Sequence, residues 1–208
     1  MPRSSARLNP AGGAESLLKI CISGKGGIGK TELSALLARE LALRGRRTLA
    51  VDCDPNPNLA ESFGLDSAGL ERFDRAGLRR AGETLALARE PVLVEVEDRL
   101  WLLGGPPSDT PLADAVSRGI AGVLLSDRFD SVVTDLGAGP EFVGLAVGGV
   151  LNPADLCVVL TDGGPVPELT AERIEAACRR RGVASRRVLV GSDGAATAAA
   201  RLAAELAA

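Results

Sequence analysis

Between residues 17 and 44 the chain reads LLKICISGKGGIGKTELSALLARELALR, and this stretch decides the fold. An apolar run, Leu17 to Ser23, leads into the octad GKGGIGKT, Gly24 to Thr31, and then into an amphipathic stretch from Lys30 to Arg44. A strand, a glycine loop and a helix in that order make a phosphate-binding loop, because the loop N–H groups and the helix N-terminus together attract an anion. The glycines let consecutive N–H groups turn inward where side chains would collide with phosphate. Lys30 can then reach the β- and γ-phosphates, and the Thr31 hydroxyl can ligate Mg²⁺. Gly24, Lys25, Gly26, Gly27, Ile28, Gly29, Lys30, Thr31 and Glu32 are the expected nucleotide-binding run.

Outward from the loop, short apolar runs alternate with amphipathic ones. Strands are expected at Arg47 to Val51, Ser131 to Asp135, Leu156 to Thr161 and Arg187 to Val190, and helices at Val166 to Arg181 and from about Ala195. PVLVEVEDRLWLLGG, from Pro91, reads as two strands around a Glu97-Asp98 turn. The mixed stretch from Leu65 to Arg89 reads as one or two short helices, and Pro111 to Leu125 as another. The fold class is α/β: a single, mostly parallel sheet of six or seven strands with helices on both faces. Residues 1–16, rich in Ser, Pro, Gly and Ala without periodicity, read as a flexible tail, and 17–208 as one domain.

Composition removes several function classes. The 208 residues contain no His, which excludes histidine general bases, Ser-His-Asp triads and His-ligated metals within one chain. A net charge of −3, from 24 basic and 27 acidic residues, gives no electrostatic case for a dedicated nucleic-acid binder. No apolar run approaches a membrane span, and the first sixteen residues lack a signal-peptide core, so a cytoplasmic address is expected by default. Cys21, Cys53, Cys157 and Cys178 lie far apart with no CxC or CxxC and read as reduced, mostly buried thiols. Lysine occurs only at positions 19, 25 and 30, so two of three lysines fall within the glycine octad although Arg supplies the rest of the positive charge.

Lys25 carries a resemblance. GKGGIGKT resembles the deviant Walker A loop of the ATPase group that includes MinD-like division-site regulators, ParA-like partition ATPases, the nitrogenase iron protein and the carbon monoxide dehydrogenase maturation ATPases. Within that group the early Lys reaches across a nucleotide-dependent homodimer interface to the other subunit's phosphates, and the resemblance gives Lys25 that role. VDCDPNPNL, from Val51, resembles the group's switch I: Asp54 stands where an aspartate orients the attacking water, and Asp52 and Asn58 match family-like positions. VVTDLGAGPE, from Val132, puts Asp135 in the place of the Walker B carboxylate that holds Mg²⁺ through water, and its Gly137, Ala138, Gly139 and Glu141 resemble the DxxAGxE of the MinD-like and maturation members. The catalytic set is therefore Lys25, Lys30 and Asp54, the metal set Thr31 and Asp135, and the cofactors ATP and Mg²⁺.

Three departures qualify the resemblance. Where the family has a second Thr or Ser near the α-phosphate this chain has Glu32, which either weakens nucleotide binding or points away while favouring the helix N-terminus. Where adenine is commonly read by an Asn, the chain has Val190, Gly191, Ser192 and Asp193. No Cys occurs between residues 58 and 156, so neither an iron-sulfur reductase nor a metal-binding CxC is present.

The expected function is a Mg-ATP-dependent dimeric switch ATPase resembling the maturation factors for nickel or other metalloenzymes, with a homodimer forming on ATP and a client protein as partner. The alternative is a partition or positioning ATPase acting on DNA or membrane. TAAARLAAELAA, from Thr197, lacks the bulky apolar residues of a membrane-inserting helix. RRRGVASRR, Arg179 to Arg187, leaves nucleic-acid binding open but unfavoured against a solvated helix end.

Overall fold

The computed structural model describes residues 17–54, 58–65, 93–104, 128–138, 154–191 and 194–206. The tail over 1–16, the helices expected between 66 and 89 and between 111 and 125, Gly139, Glu141, Ser192 and Asp193 lie outside those residues.

Strand β1 (Leu18–Gly24) enters the loop, and helix α1 (Lys30–Leu43) leaves it. Then come β2 (Thr48–Cys53), a four-residue helix α2 (Leu59–Ser62), β3 (Val94–Glu97), β4 (Leu100–Gly104), β5 (Ser131–Leu136) and β6 (Leu156–Thr161). Helix α3 (Pro165–Arg181), β7 (Ala184–Leu189) and α4 (Gly194–Leu206) complete the described chain. The seven strands form one sheet in the order β3-β4-β2-β5-β1-β6-β7, parallel throughout except for the β3–β4 pair.

Alternation along the strands sorts side chains onto two faces. Ile20, Ile22, Ala50, Val133, Val158 and Leu160 meet α1 and α4 on one face. Cys21, Leu136, Cys157 and Val159 meet Ala171, Ile174, Ala177 and Cys178 of α3 on the other. Helix α1 buries Leu33, Leu37 and Leu41 at four-residue spacing, one turn above another. The alanines of α4 pack against that helix: Ala195, Ala199 and Ala203 are buried with Leu202, and small side chains there let the two helices approach closely. Thus α4 is a core helix. Among the described residues no helix is long and apolar enough to cross a membrane.

Most element ends fall within one or two residues of expectation, and two differences have a visible physical cause. The β3–β4 turn falls on Asp98 and Arg99, one residue later than expected, because the pairing shifts between Glu95 and Glu97 and Arg99 takes a left-handed φ of 59°. Strand β7 begins at Ala184 rather than Arg187, since its arginines sit on an edge strand and find carboxylates on the neighbouring helices. Arg186 bonds Glu205 of α4, and Arg187 bonds Glu168 and Glu175 of α3. Edge charges of this kind also block pairing with another strand. Helix α3 stops at Gly182, left-handed at φ 71°, with Arg179 and Arg180 exposed beside it. The basic cluster is therefore split between a solvated helix end and neutralised strand arginines, which weakens it as a DNA surface.

Because β1, β2, β5 and β6 run parallel, their C-terminal ends share one edge of the sheet, where open α/β sheets place ligands. That edge carries Gly24, Cys53, Asp135 and Thr161.

Candidate functional site

Gly24 ends β1 directly against β6. A Cβ at this position would stand 2.8 Å from the Leu160 carbonyl oxygen and 3.2 Å from the Leu160 Cβ, both anchored in the sheet, so no side chain fits. Gly29 is the N-cap of α1 in the left-handed region, φ 93°, and no side chain caps the helix. The first N–H groups of α1 thus keep their donor capacity for a ligand. Across the loop, a Cβ on Gly26 would lie 3.6 Å from that of Ala138, which brings the segment after β5 alongside the glycines.

The residues assigned to phosphate and metal converge at the head of α1. Lys30 is 6% exposed and forms no ion pair with a described residue, so a buried ammonium stands beside the loop within longer-range reach of Asp135. Asp135, fully buried near the end of β5, interacts with the hydroxyl of Thr31, the second residue of α1. The Ser34 hydroxyl donates to the Lys30 carbonyl oxygen at 2.9 Å and lies 3.1 Å from Asp135 Oδ1. Asp135 Oδ2 is buried and has no hydrogen-bond partner. An unsatisfied carboxylate oxygen next to a hydroxyl and an ammonium suits a hydrated divalent cation, whose hard charge takes oxygen ligands and usually keeps several waters. Thr31 and Asp135 therefore fit Mg²⁺.

Asp52 stands directly across from Asp135 in the β2–β5 register and is also fully buried. Its carboxylate accepts from the backbone of Asp54 at 3.1 Å (Oδ1) and of Leu59 at 3.0 Å (Oδ2). It thereby fixes both ends of the segment between β2 and α2 and supplies the acceptor that α2 needs, which Asn58, its N-cap residue, does not. The helix-capping role that the Asp/Asn cluster could have filled thus belongs to Asp52. Asp54 itself is half-buried, near enough to both carboxyls to disfavour their ionisation. Lys25 is exposed at the tip of the loop.

Burial, opposed by the Leu59 and Asp54 N–H groups and reinforced by Asp135, pushes Asp52 up to about 7. Burial pushes Asp135 up to about 6, against the Thr31 and Ser34 hydroxyls and Lys30. Both carboxyls bind protons in the folded chain between their ordinary 3.8 and these raised values, where the unfolded chain does not, so stability falls as pH rises through that window. Without nucleotide or divalent cation, the protein is expected to be more stable near pH 5.5 than near pH 8, by a few kcal/mol at most, on the order set by such shifts. Thermal unfolding in a chelator checks this. The slope should shrink in Asp52→Asn, and a melting temperature that rises with pH contradicts it.

Burial, with Asp52 and Asp135, pushes the half-buried Cys53 thiol far above its ordinary range, which keeps it protonated. Cys21, Cys157 and Cys178 are buried free thiols in the core. Among the described residues no group of three His, Cys, Asp or Glu is placed to hold a metal ion.

Glu32 does not point away. Its Oε2 lies 3.9 Å from where a Cβ would stand on Gly29, so the carboxylate folds back toward the N-cap of α1. Ser34 escaped the sequence reading. Its signal was a hydroxyl on the buried face of a helix, one turn after Lys30, among leucines and alanines. The bracing of α2 by Asp52 left no signal of its own, because α2 is only one turn long.

Residues 19–189 match the family model of the CobQ/CobB/MinD/ParA nucleotide binding domain. The chain is 30% identical over 190 residues to the carbon monoxide dehydrogenase accessory protein CooC of Rhodospirillum rubrum, covering 80% of this chain and 71% of that protein. Among solved structures it resembles the MinD cell division protein of Aquifex aeolicus, with a TM-score of 0.64 and 24% identity over 83% of this chain and 68% of that one. The septum site-determining protein MinD of Pyrococcus horikoshii, complexed with Mg-ADP, superposes with a TM-score of 0.61 at 24% identity, covering 83% of this chain and 70% of that one.

Proposed function

The chain belongs to the CobQ/CobB/MinD/ParA nucleotide-binding family and is an ATP hydrolase of it, and from that premise we propose that it works as an ATP-gated homodimer serving the maturation of a metalloenzyme. The observation that carries the chemistry is the convergence of buried Lys30, Thr31, Ser34 and the unpartnered Oδ2 of Asp135 at the head of α1. The likeness to CooC supports the maturation role.

Each residue has a definable task. The loop N–H groups and Lys30 hold the polyphosphate and neutralise charge that develops on the γ-phosphate. Thr31, and Asp135 through water, would hold Mg²⁺, with Ser34 orienting the carboxylate; the ion would supply positive charge to offset that of the phosphates. Asp54 orients the water that attacks, and Asp52 fixes the backbone from which Asp54 projects. Lys25 presents its ammonium to the phosphates of the other subunit once two copies close face to face. Hydrolysis removes the shared charge and lets them separate. The chain lacks a CxC and acts on its client through this closure. ATP is the expected nucleotide, and equilibrium binding that shows GTP bound more tightly than ATP overturns that assignment.

Asp54→Ala tests the scheme. Orienting water matters to the hydrolytic step and not to ground-state affinity, so ATP affinity should stay within about threefold while turnover falls by about two orders of magnitude or more. The variant should also accumulate as the ATP-bound dimer. A normal turnover rate reassigns Asp54 to shaping the loop. In a host deleted for this gene, the wild-type copy but not Asp54→Ala should restore activity of the client metalloenzyme; full metalloenzyme activity without either copy removes the maturation role.

A further inference from the structure

Glu32 is the one residue of the phosphate-binding run whose side-chain charge opposes the ligand. It is the third residue of α1, and glutamate at that place ordinarily reaches back to the N–H of the N-cap residue. The N-cap here is Gly29, and Glu32 Oε2 does approach it, 3.9 Å from the position of a Cβ. Yet the carboxylate forms no hydrogen bond or ion pair with a described residue. Its charge is therefore unpaired by any described side chain, and it stands at the helix N-terminus beside the same backbone donors that cradle the α- and β-phosphates.

We propose that Glu32 sets nucleotide affinity: its carboxylate, folded back over Gly29, repels the phosphates that ATP and ADP have in common and weakens the binding of both by the same factor. This rests on the nucleotide-binding role given above for the loop. The chain's own backbone supplies attraction, and Glu32 moderates it, so that product ADP leaves readily and the site reloads. Because the carboxylate is exposed, the repulsion is screened by salt. Exposed charges a few ångströms apart change affinity by about five- to tenfold at low ionic strength.

Calorimetric titration with Mg-ADP and with Mg-AMPPNP, on wild type, Glu32→Gln, Glu32→Thr and Lys30→Ala, tests this. Glu32→Gln keeps the size and removes the charge. At an ionic strength of about 0.02 M it should bind both nucleotides about five- to tenfold more tightly than wild type, and the gain should shrink to about twofold or less at about 0.3 M, as the Debye length falls. Glu32→Thr should gain at least as much at low salt. Unchanged or weaker binding by Glu32→Gln, a gain confined to one nucleotide, or a gain indifferent to salt overturns the inference. Lys30→Ala separates the two levels. Loss of binding there without a gain at Glu32→Gln refutes the role of Glu32 alone, whereas binding undiminished in Lys30→Ala refutes the loop reading on which it rests.

Discussion

Lys30→Ala should bind ATP at least about a thousandfold more weakly than wild type, with hydrolysis lost in proportion. The size of the effect follows from placement. Lys30 is 6% exposed, its ammonium has no ion pair among the described residues, and it stands between the loop glycines and Asp135. Lys25, the loop's other cation, is exposed at its tip, and Glu32 adds a negative charge. Removing Lys30 thus leaves three or four phosphate charges to the backbone donors alone, close to a carboxylate that then lacks its nearest positive neighbour. Charge-assisted contacts in such a shielded place are worth several kcal/mol, and each 1.4 kcal/mol is tenfold in affinity. Isothermal titration with Mg-ATP gives the number. Affinity within tenfold of wild type contradicts a phosphate-binding role for the loop.

Lys25→Ala should show the opposite division: near-normal ATP affinity in the monomer, and hydrolysis reduced by about two orders of magnitude or more, the range expected when a positive group is withdrawn from a transferring phosphoryl group. The loop's own donors and Lys30 suffice to bind nucleotide, whereas a charge presented from the other subunit counts only after closure. Lys25→Arg should fail as well, because a planar guanidinium does not replace a compact ammonium in a confined place. A variant with normal turnover contradicts the trans role, and one that loses affinity and turnover together assigns Lys25 to its own subunit's nucleotide.

Much of this was legible in the chain because the signals were short-range. Strand, glycine octad and helix lie within 28 residues, and each strand in that part of the sheet carries a residue of distinctive type at or next to its C-terminal end: Gly24, Asp54 and Asp135. Parallel β strands also keep their C-terminal ends together, so the sequence order sufficed to gather those residues at one edge. Harder to read was anything that depended on a partner distant in sequence. The reach of β7 back to Ala184 required knowing that Arg186 and Arg187 would meet Glu205, Glu168 and Glu175. Ser34 gains its meaning only from Asp135, 101 residues away. The direction of Glu32 was open because a glutamate in the first turn of a helix has rotamers toward solvent and toward the N-cap, and only the geometry of Gly29 distinguishes them.

Sedimentation velocity of wild type and Lys25→Ala, each with and without Mg-ATP, tests the ATP-gated dimer most directly. Wild type should sediment as a monomer alone and as a dimer with Mg-ATP, while Lys25→Ala, at nucleotide concentrations that saturate it, should remain a monomer in both. A wild type that stays monomeric with saturating Mg-ATP, or a Lys25→Ala variant that dimerises as wild type does, contradicts a Lys25 that acts across the subunit interface.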